Sequence, residues 1–324
     1  MSDAKGPLFS LVNGEGAGAL LAAAAGDVAG GSSSIAYSAL TQQATVVAYH
    51  LMVNDGVEGP LLAREWSELS ADESNPSVYR SPSSAFEAWV VGVNSEEAAR
   101  SIDPSAEPAA RSTPIGVWFR RRPEELTAAA IEVSRLTHLD AATAVAAAAL
   151  AGATAASCFA QSGRDLLTAA AEISSGALAR VEEEATFINV DAARRFSAGF
   201  TAALLVVGAS PEKVVAGMGG EGPEAVLTAI TLAATPGAEE VIGTAARAGG
   251  SLLGTMVGSL VGARLGIRTW PWRVPNSTWF AEIGRRLVSG NRETRDLPVP
   301  YFVEESLTHG IDRDDHRPFA PGRG

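Results

Sequence analysis

Residues 141–160 read AATAVAAAALAGATAASCFA, and this stretch says most about the fold. Alanine favours a helix more than any other residue, and no charged residue occurs anywhere in the stretch. A helix that is apolar around its whole circumference is buried in the centre of a domain. Residues 252–265 are apolar around most of their circumference too. The sequence therefore predicts two central helices within a large helical assembly.

Helical periodicity extends from these two segments along most of the chain. The other predicted helices span residues 17–29, 40–53, 60–69, 84–91, 95–102, 124–136, 163–174, 190–207, 223–234, 238–247 and 278–288. Residues 116–119 and 298–303 are rich in residues that favour strands, but they are short and isolated. The pattern predicts an all-α fold.

The domain organisation follows from where the composition changes. Residues 1–292 form one predicted helical domain, in which residues 70–83 and 103–114 are loops. The segment 293–324 differs in character and ends in a charged run, so we expect an irregular C-terminal arm that lies over the domain or is solvated.

The charge of the chain bears on its partners. The 324 residues include 37 acidic and 25 basic side chains, a net charge of −12. Proteins that bind nucleic acid neutralise phosphates with a basic face, and here the densest basic run, residues 120–122, is followed by Pro123, Glu124 and Glu125. We therefore expect no nucleic-acid partner.

The location of the protein is predicted from three features. The early apolar run at residues 20–25 is ended by Asp27, well short of the roughly 20 residues that cross a bilayer. The N-terminus lacks the pattern of a secretory signal, and the single cysteine, Cys158, allows no intrachain disulfide. These features predict a cytoplasmic protein with no membrane partner.

Four blocks of sequence suggest a family. Residues 25–30 read AGDVAG, residues 111–116 read RSTPIG, residues 136–140 read LTHLD, and residues 246–266 form a glycine-rich segment. In this order and spacing, the blocks resemble the ADP-ribosylglycohydrolase family, which includes the hydrolase that reactivates ADP-ribosylated dinitrogenase reductase. The resemblance covers roughly residues 14–290 and implies a large single-domain orthogonal helical bundle.

The resemblance also implies a metal centre whose ligands are missing here. The family holds two Mg²⁺ ions with a Thr-Asp-Asp-Thr motif, a Gly-Gly-Asp-x-Asp-Thr motif and a glutamate. In this chain residues 41–44 read TQQA, Ser251 and Leu253 stand at the second pair of aspartate positions, and Ser34 stands at the glutamate position. Mg²⁺ prefers anionic oxygen ligands. We therefore expect no metal and no other cofactor.

Three side chains are weak catalytic candidates: Asp27, His138 and Asp140. His138 would act as a general acid or base oriented by Asp140. The alternative is structural: Asp140 caps the helix that begins at residue 141, and His138 bonds within its loop. Asp27 interrupts an apolar helix, so it is expected to support the fold through hydrogen bonds.

The remaining polar groups near the motifs are candidates for ligand binding. They are Ser34, Gln42, Gln43, Arg111 and Ser251. The two glutamine amides could hydrogen-bond a nucleotide or satisfy one another. Arg111 could neutralise Asp27 or bind a phosphate, and the loop that contains Ser34 could cradle an anion or be a simple connector.

Three functions are compatible with this sequence. The leading hypothesis is a protein of the ADP-ribosylglycohydrolase type that is not a classical hydrolase and acts as a binding or regulatory protein for an ADP-ribose-like nucleotide or a protein partner. The first alternative is a metal-independent enzyme that cleaves a glycosidic bond in a nucleoside or small metabolite. The second is a structural subunit of a complex.

Overall fold

The structure, a computed structural model, describes residues 14–31, 37–70, 95–219, 221–235, 237, 239–268 and 270–308. The helices in these ranges are α1 (Gly14–Gly30), α2 (Ala39–Asn54), α3 (Gly59–Ser70), α4 (Ser95–Ser101), α5 (Glu107–Ala110), α6 (Thr113–Trp118), α7 (Pro123–Arg135), α8 (Ala141–Ser157), α9 (Gly163–Glu183), α10 (Val190–Val206), α11 (Pro211–Met218), α12 (Glu224–Ala234), α13 (Glu239–Leu265), α14 (Ser277–Ser289) and α15 (Pro300–Thr308). No strand occurs in the described ranges, which confirms the all-α prediction. The predicted helix at 84–91 and the candidate Ser34 lie outside them.

Helix α8 is the centre of the domain, as its sequence predicts. Every residue from Ala141 to Ser157 is buried. Alanine side chains let neighbouring helices approach closely, and α8 is in contact with α5, α6, α7, α9, α10, α12 and α13. The uncharged stretch is therefore buried because it is surrounded by other helices on all sides.

The closest helix pair is α1 with α13, which run antiparallel along a row of small residues. The facing positions are Gly18 with Gly262, Ala22 with Gly258, Gly26 with Gly254, and Gly30 with Gly250. A Cβ atom added at Gly258 would lie 2.0 Å from the Ala22 carbonyl oxygen. Both rows repeat every four residues, so they lie on one face of each helix. We call this interface the glycine seam.

Helix α13 is bent beside the end of α1. The backbone leaves the helical region at Gly249 (φ −133°, ψ 22°) and at Gly250 (φ 62°, ψ −155°). Positive φ with this ψ is accessible essentially only to glycine. The sequence predicts two helices, 238–247 and 252–265, with a break between them, and the break is confirmed. It lies next to Ser251.

Four segments are more helical than the sequence predicts. Helix α9 continues to Glu183 instead of ending at residue 174, because Ser174, Ala177 and Val181 continue its buried stripe. Residues 107–110 and 113–118 are helical, so the prediction of a loop over residues 103–114 is wrong for half of its length, and residues 211–218 form a further helix that the pattern did not predict. The helix does not end at the small residues 174–176, because this turn still packs against the core through Ser174.

The C-terminal segment differs in part from the expected irregular arm. Up to Thr308 it lies over the domain, and it is helical over Pro300–Thr308. Val303 and Leu307 are buried, and the Trp279 Nε1–H donates to the Pro298 carbonyl oxygen at 3.0 Å. No helix of the described residues combines the length and apolar composition needed to span a bilayer.

Candidate functional site

The first part of the site surrounds Asp27, in the last turn of α1. Its Oδ2 atom accepts hydrogen bonds from the Ser38 N–H at 2.8 Å, from Ser38 Oγ at 2.9 Å and from Thr41 Oγ1 at 2.7 Å. Ser251 Oγ donates to the Asp27 main-chain carbonyl oxygen at 2.9 Å. The glycine seam thus brings the end of α1, the start of α2 and the bend of α13 together at one carboxylate.

The two oxygens of this carboxylate have different surroundings. Asp27 is fully buried, and its Oδ1 atom has no hydrogen-bond partner in the described part of the chain. Burial raises the pKa of the Asp27 carboxyl above its usual range, and the hydrogen bonds from Thr41 and Ser38 oppose this only partly. Asp27 is buried and hydrogen-bonded as the structural interpretation predicts, but one acceptor atom remains for another group.

The second part of the site surrounds Arg111, which is completely buried between α5 and α6. Its guanidinium donates to Gln43 Oε1 at 3.0 Å and to the Val133 carbonyl oxygen at 3.4 Å, and it also donates to Thr137 Oγ1. It lies over the Trp66 ring, 5.0 Å from the centroid. All these partners are neutral, so the cation is held by lone pairs and a π face instead of a carboxylate.

The charge of Arg111 persists despite its burial. Burial lowers the pKa of the Arg111 guanidinium to about 10, and Glu107 opposes the shift. This value leaves the group protonated at neutral pH. Of the two roles that the sequence left open for Arg111, neutralising Asp27 finds no support among its hydrogen bonds, which go to Gln43, Val133 and Thr137.

His138 and Asp140 are buried neighbours with separate partners. His138 Nδ1 bonds with Thr137 Oγ1 at 2.8 Å. Burial, with a further contribution from Arg111, lowers the pKa of His138 to about 3. The imidazole is therefore neutral at physiological pH and is a weak base.

Asp140 has the capping role that the structural alternative predicts. Its Oδ1 accepts from the Thr143 N–H at 2.8 Å, at the N-cap of α8, and its Oδ2 accepts from Asn189 Nδ2 at 2.9 Å. Each carboxylate oxygen has another partner, and the described residues show no hydrogen bond between Asp140 and His138, so the geometry favours the capping interpretation.

The residues at the positions that the resemblance assigns to metal ligands carry no negative charge in the described part of the chain. Gln42 and Gln43 are buried and uncharged, and the Gln43 carbonyl oxygen accepts from a guanidinium. Leu253 is a fully buried hydrocarbon within the core. Among the described residues, no three His, Cys, Asp or Glu side chains are grouped so that they could share a metal ion. At the described positions that the resemblance assigns to metal ligands, the donors are hydroxyl and amide groups, so Asp27 is the anionic oxygen group that this part of the site offers, whereas Mg²⁺ prefers several.

Several residues of the site were missed by sequence reasoning. Ser38 and Asn189 supply hydrogen bonds to the predicted residues, and Trp66 supplies the ring under Arg111. Ser38 could have been found, because serine before a helical run is a typical N-cap and its Oγ accepts from the Leu40 N–H. Trp66 carries no such local signal.

The fold and the site together define an all-helical domain whose polar centre lies where α1, α2, α6 and α13 meet. The model of the family described as ADP-ribosylglycohydrolase matches residues 15–296, most of the chain. The chain belongs to the ADP-ribosylglycohydrolase family, as the sequence blocks indicate.

A solved structure supports the same fold. The structure described as "ADP-ribosylglycohydrolase-related protein complex" aligns with a TM-score of 0.59 at 18% sequence identity, and the alignment covers 88% of this chain and 100% of that chain. At this identity the likeness shows the fold alone. A comparison with curated proteins gave no significant match.

Proposed function

We propose that this member of the family does not catalyse metal-dependent hydrolysis and instead binds an ADP-ribose-like nucleotide as a binding or regulatory protein. The observation that carries the proposal is the hydrogen bond from the Arg111 guanidinium to Gln43 Oε1 at 3.0 Å. This hydrogen bond holds the positive charge of Arg111 next to Gln43, at a position where the family has a metal ligand.

Electrostatics favours this proposal over a divalent metal centre. Two like unit charges about 4 Å apart repel by about 4 kcal/mol at an effective dielectric constant of about 20, and each ion would bring two charges. In the aspartate-bearing motifs of the family, carboxylates offset such repulsion. Here Gln42, Gln43, Ser251 and Leu253 provide no negative charge at those positions.

The polar groups that remain suit the hydroxyls of a ribose. Asp27 Oδ1 is an acceptor without a partner among the described residues, so it can accept from a sugar hydroxyl. Ser251 is partly exposed, and its Oγ keeps lone pairs after donating to the Asp27 carbonyl oxygen. A nucleotide bound here would satisfy a buried polar atom, which is a source of affinity that needs no metal.

Titration calorimetry with ADP-ribose tests the proposal, in buffer with Mg²⁺ and in buffer with a chelator. We expect the same affinity in both, and no release of ADP-ribose from an ADP-ribosylated protein. Asp27→Asn places a donor at Oδ1 and should weaken binding about tenfold. The control is Glu212→Gln, which removes one charge from an exposed position. Binding or turnover that requires Mg²⁺ contradicts the proposal, as does an absence of ADP-ribose binding.

A second candidate is metal-independent cleavage of a glycosidic bond, and one observation favours it. A carboxyl with a raised pKa and an unpartnered oxygen can act as a general acid, and Asp27 has both properties. His138 is less suited, because its imidazole stays neutral down to about pH 3. Turnover of nucleosides in the presence of chelator, lost in Asp27→Asn and kept in His138→Ala, would favour this enzyme over the binding protein.

A further inference from the structure

A surface cavity of about 420 Å³ lies where α9 begins and where α10, α12 and α13 end. The residues that line it are Ser162, Gly163, Arg164, Val207, Gly208, Ala234, Thr235 and Arg264. They include two arginines and no acidic residue. This is unusual in a chain with a net charge of −12.

Arg264 is held in place without a carboxylate. It is half-buried at the end of α13, and its NH1 donates to the Ala233 carbonyl oxygen at 2.6 Å. No other hydrogen bond or ion pair of this side chain occurs in the described part of the protein, so its other guanidinium N–H groups are available. Burial lowers the pKa of Arg264, which reflects desolvation that no acidic neighbour offsets.

Arg164 supplies the second positive charge from a distant part of the sequence. It is exposed in the first turn of α9, and it pairs with no carboxylate among the described residues. The fold brings it to the same cavity as Arg264, 100 residues further along the chain. Two guanidinium groups that share one cavity repel each other, and an anion between them would remove that repulsion.

We propose that this cavity binds the phosphate group of a small phosphorylated molecule. The planar fork of a guanidinium matches phosphate oxygens in pairs, and such charge-assisted bonds are about twice as strong as neutral ones. The Ser162 hydroxyl can add a donor, and Val207 and Ala234 offer apolar contacts to the body of the molecule. The volume lies within the range of small-molecule sites, about 300–1,000 Å³.

This phosphate site is separate from the site around Asp27. Arg264 lies 13 residues beyond Ser251 along α13, which is about 20 Å at the helical rise. The site is therefore independent of the proposed nucleotide function, and a negative result for one leaves the other in place. Asp27→Asn should not change phosphate binding, which makes the two separable.

Calorimetry at constant ionic strength with three probes tests the phosphate site. Inorganic phosphate and ribose 5-phosphate should bind, and ribose should not. Tighter binding of ribose 5-phosphate than of phosphate would identify a phosphate ester as the ligand class, and equal binding would identify the free anion. Arg164→Gln should weaken binding about tenfold, because it removes a charge-assisted contact from an exposed position that is not needed for folding.

Two further variants make the test decisive. Arg268→Gln is the matched control, because it removes the same charge from an exposed position just beyond α13 that does not line the cavity. It should bind phosphate like the wild type. Arg264→Lys keeps the charge but loses the fork, and it should also weaken binding. Equal weakening in Arg164→Gln and Arg268→Gln, or no phosphate binding by the wild type, would overturn the proposal.

Discussion

The glycine seam and the polar site at its end are built by different physical means. In the seam, backbone meets backbone, and an added Cβ atom at Gly18, Gly26 or Gly258 would lie 2.0–2.2 Å from an atom of the other helix. At the site, buried hydroxyls, amides and charges are held by hydrogen bonds, as between Arg111 and Gln43. The seam excludes almost every substitution by size, whereas the site depends on which donors and acceptors face one another. The packing of the fold and the chemistry at its centre therefore depend on different residues.

The largest effect is expected when the seam is broken. In Gly258→Val the new side chain would collide with the Ala22 backbone, which cannot move away without separating α1 from α13. We expect a loss of about 3 kcal/mol or more in the free energy of unfolding, or no folded protein. Urea unfolding followed by circular dichroism measures it.

The matched control for the seam is a glycine inside an exposed helix face. Gly176 lies within α9, and a Cβ atom there would have nothing within 4 Å. Gly176→Ala should raise stability by about 0.5–1 kcal/mol, because alanine favours the helix. Similar losses in both variants would show that glycine is needed for reasons other than close packing.

The next effect is an acid sensitivity that His138 imposes on the site. Its pKa is about 3 in the folded protein and 6.5 as an ordinary value, so between these values the unfolded chain binds the extra proton. His138 therefore does not lower the free energy of unfolding above about pH 6.5. Below that value the free energy of unfolding falls towards pH 3, and His138 contributes up to about 1.4 kcal/mol per pH unit to the loss. Urea unfolding over this range should show a flatter profile for His138→Gln.

Asp27 changes the free energy of unfolding with pH in the opposite direction to His138, so the effects of the two residues can be distinguished. Its pKa is raised in the folded state, so its charged form is penalised at neutral pH and the penalty disappears as pH falls below the usual aspartate range. Asp27→Asn should therefore gain stability over the wild type near neutral pH and lose that advantage in acid. Parallel profiles for His138→Gln and Asp27→Asn would contradict the assignment.

A smaller effect is expected when the hydrogen bond between Gln43 and Arg111 is removed. Gln43→Leu leaves a buried guanidinium N–H without its acceptor, which should cost about 2–3 kcal/mol. In an Arg111→Met background the same change should cost much less, because the charged donor is gone. A double-mutant cycle by urea unfolding measures this coupling, and additive losses would show that the contact is unimportant.

The smallest effect belongs to the helix cap at Asp140. Asp140→Ala should cost about 1 kcal/mol through the Thr143 N–H that loses its acceptor. Asp140→Ser keeps a capping oxygen and should lose less. Thermal unfolding of the two variants gives the comparison, and identical losses would place the effect in the bond to Asn189 instead.

Features that depend on neighbouring residues could be predicted from the sequence. Contacts between residues far apart in the chain could not. The burial of α8, the break near Gly250 and the Asp140 cap all have signals within a few residues of each other. The contact between Arg111 and Gln43 joins positions 68 residues apart, and no local pattern encodes it. The helix at Pro300–Thr308 was missed because its β-favouring residues become helical against the core.

The glycine seam also has a consequence for the order of synthesis. The facing segment of α13 is made about 220 residues after α1, which at about 5–20 residues per second is a delay on the order of tens of seconds. During this time a helix made largely of alanine, leucine and glycine lacks the partner that covers most of its buried face. The nascent chain therefore carries an uncovered apolar face throughout this interval, and binding by a chaperone would protect it from aggregation.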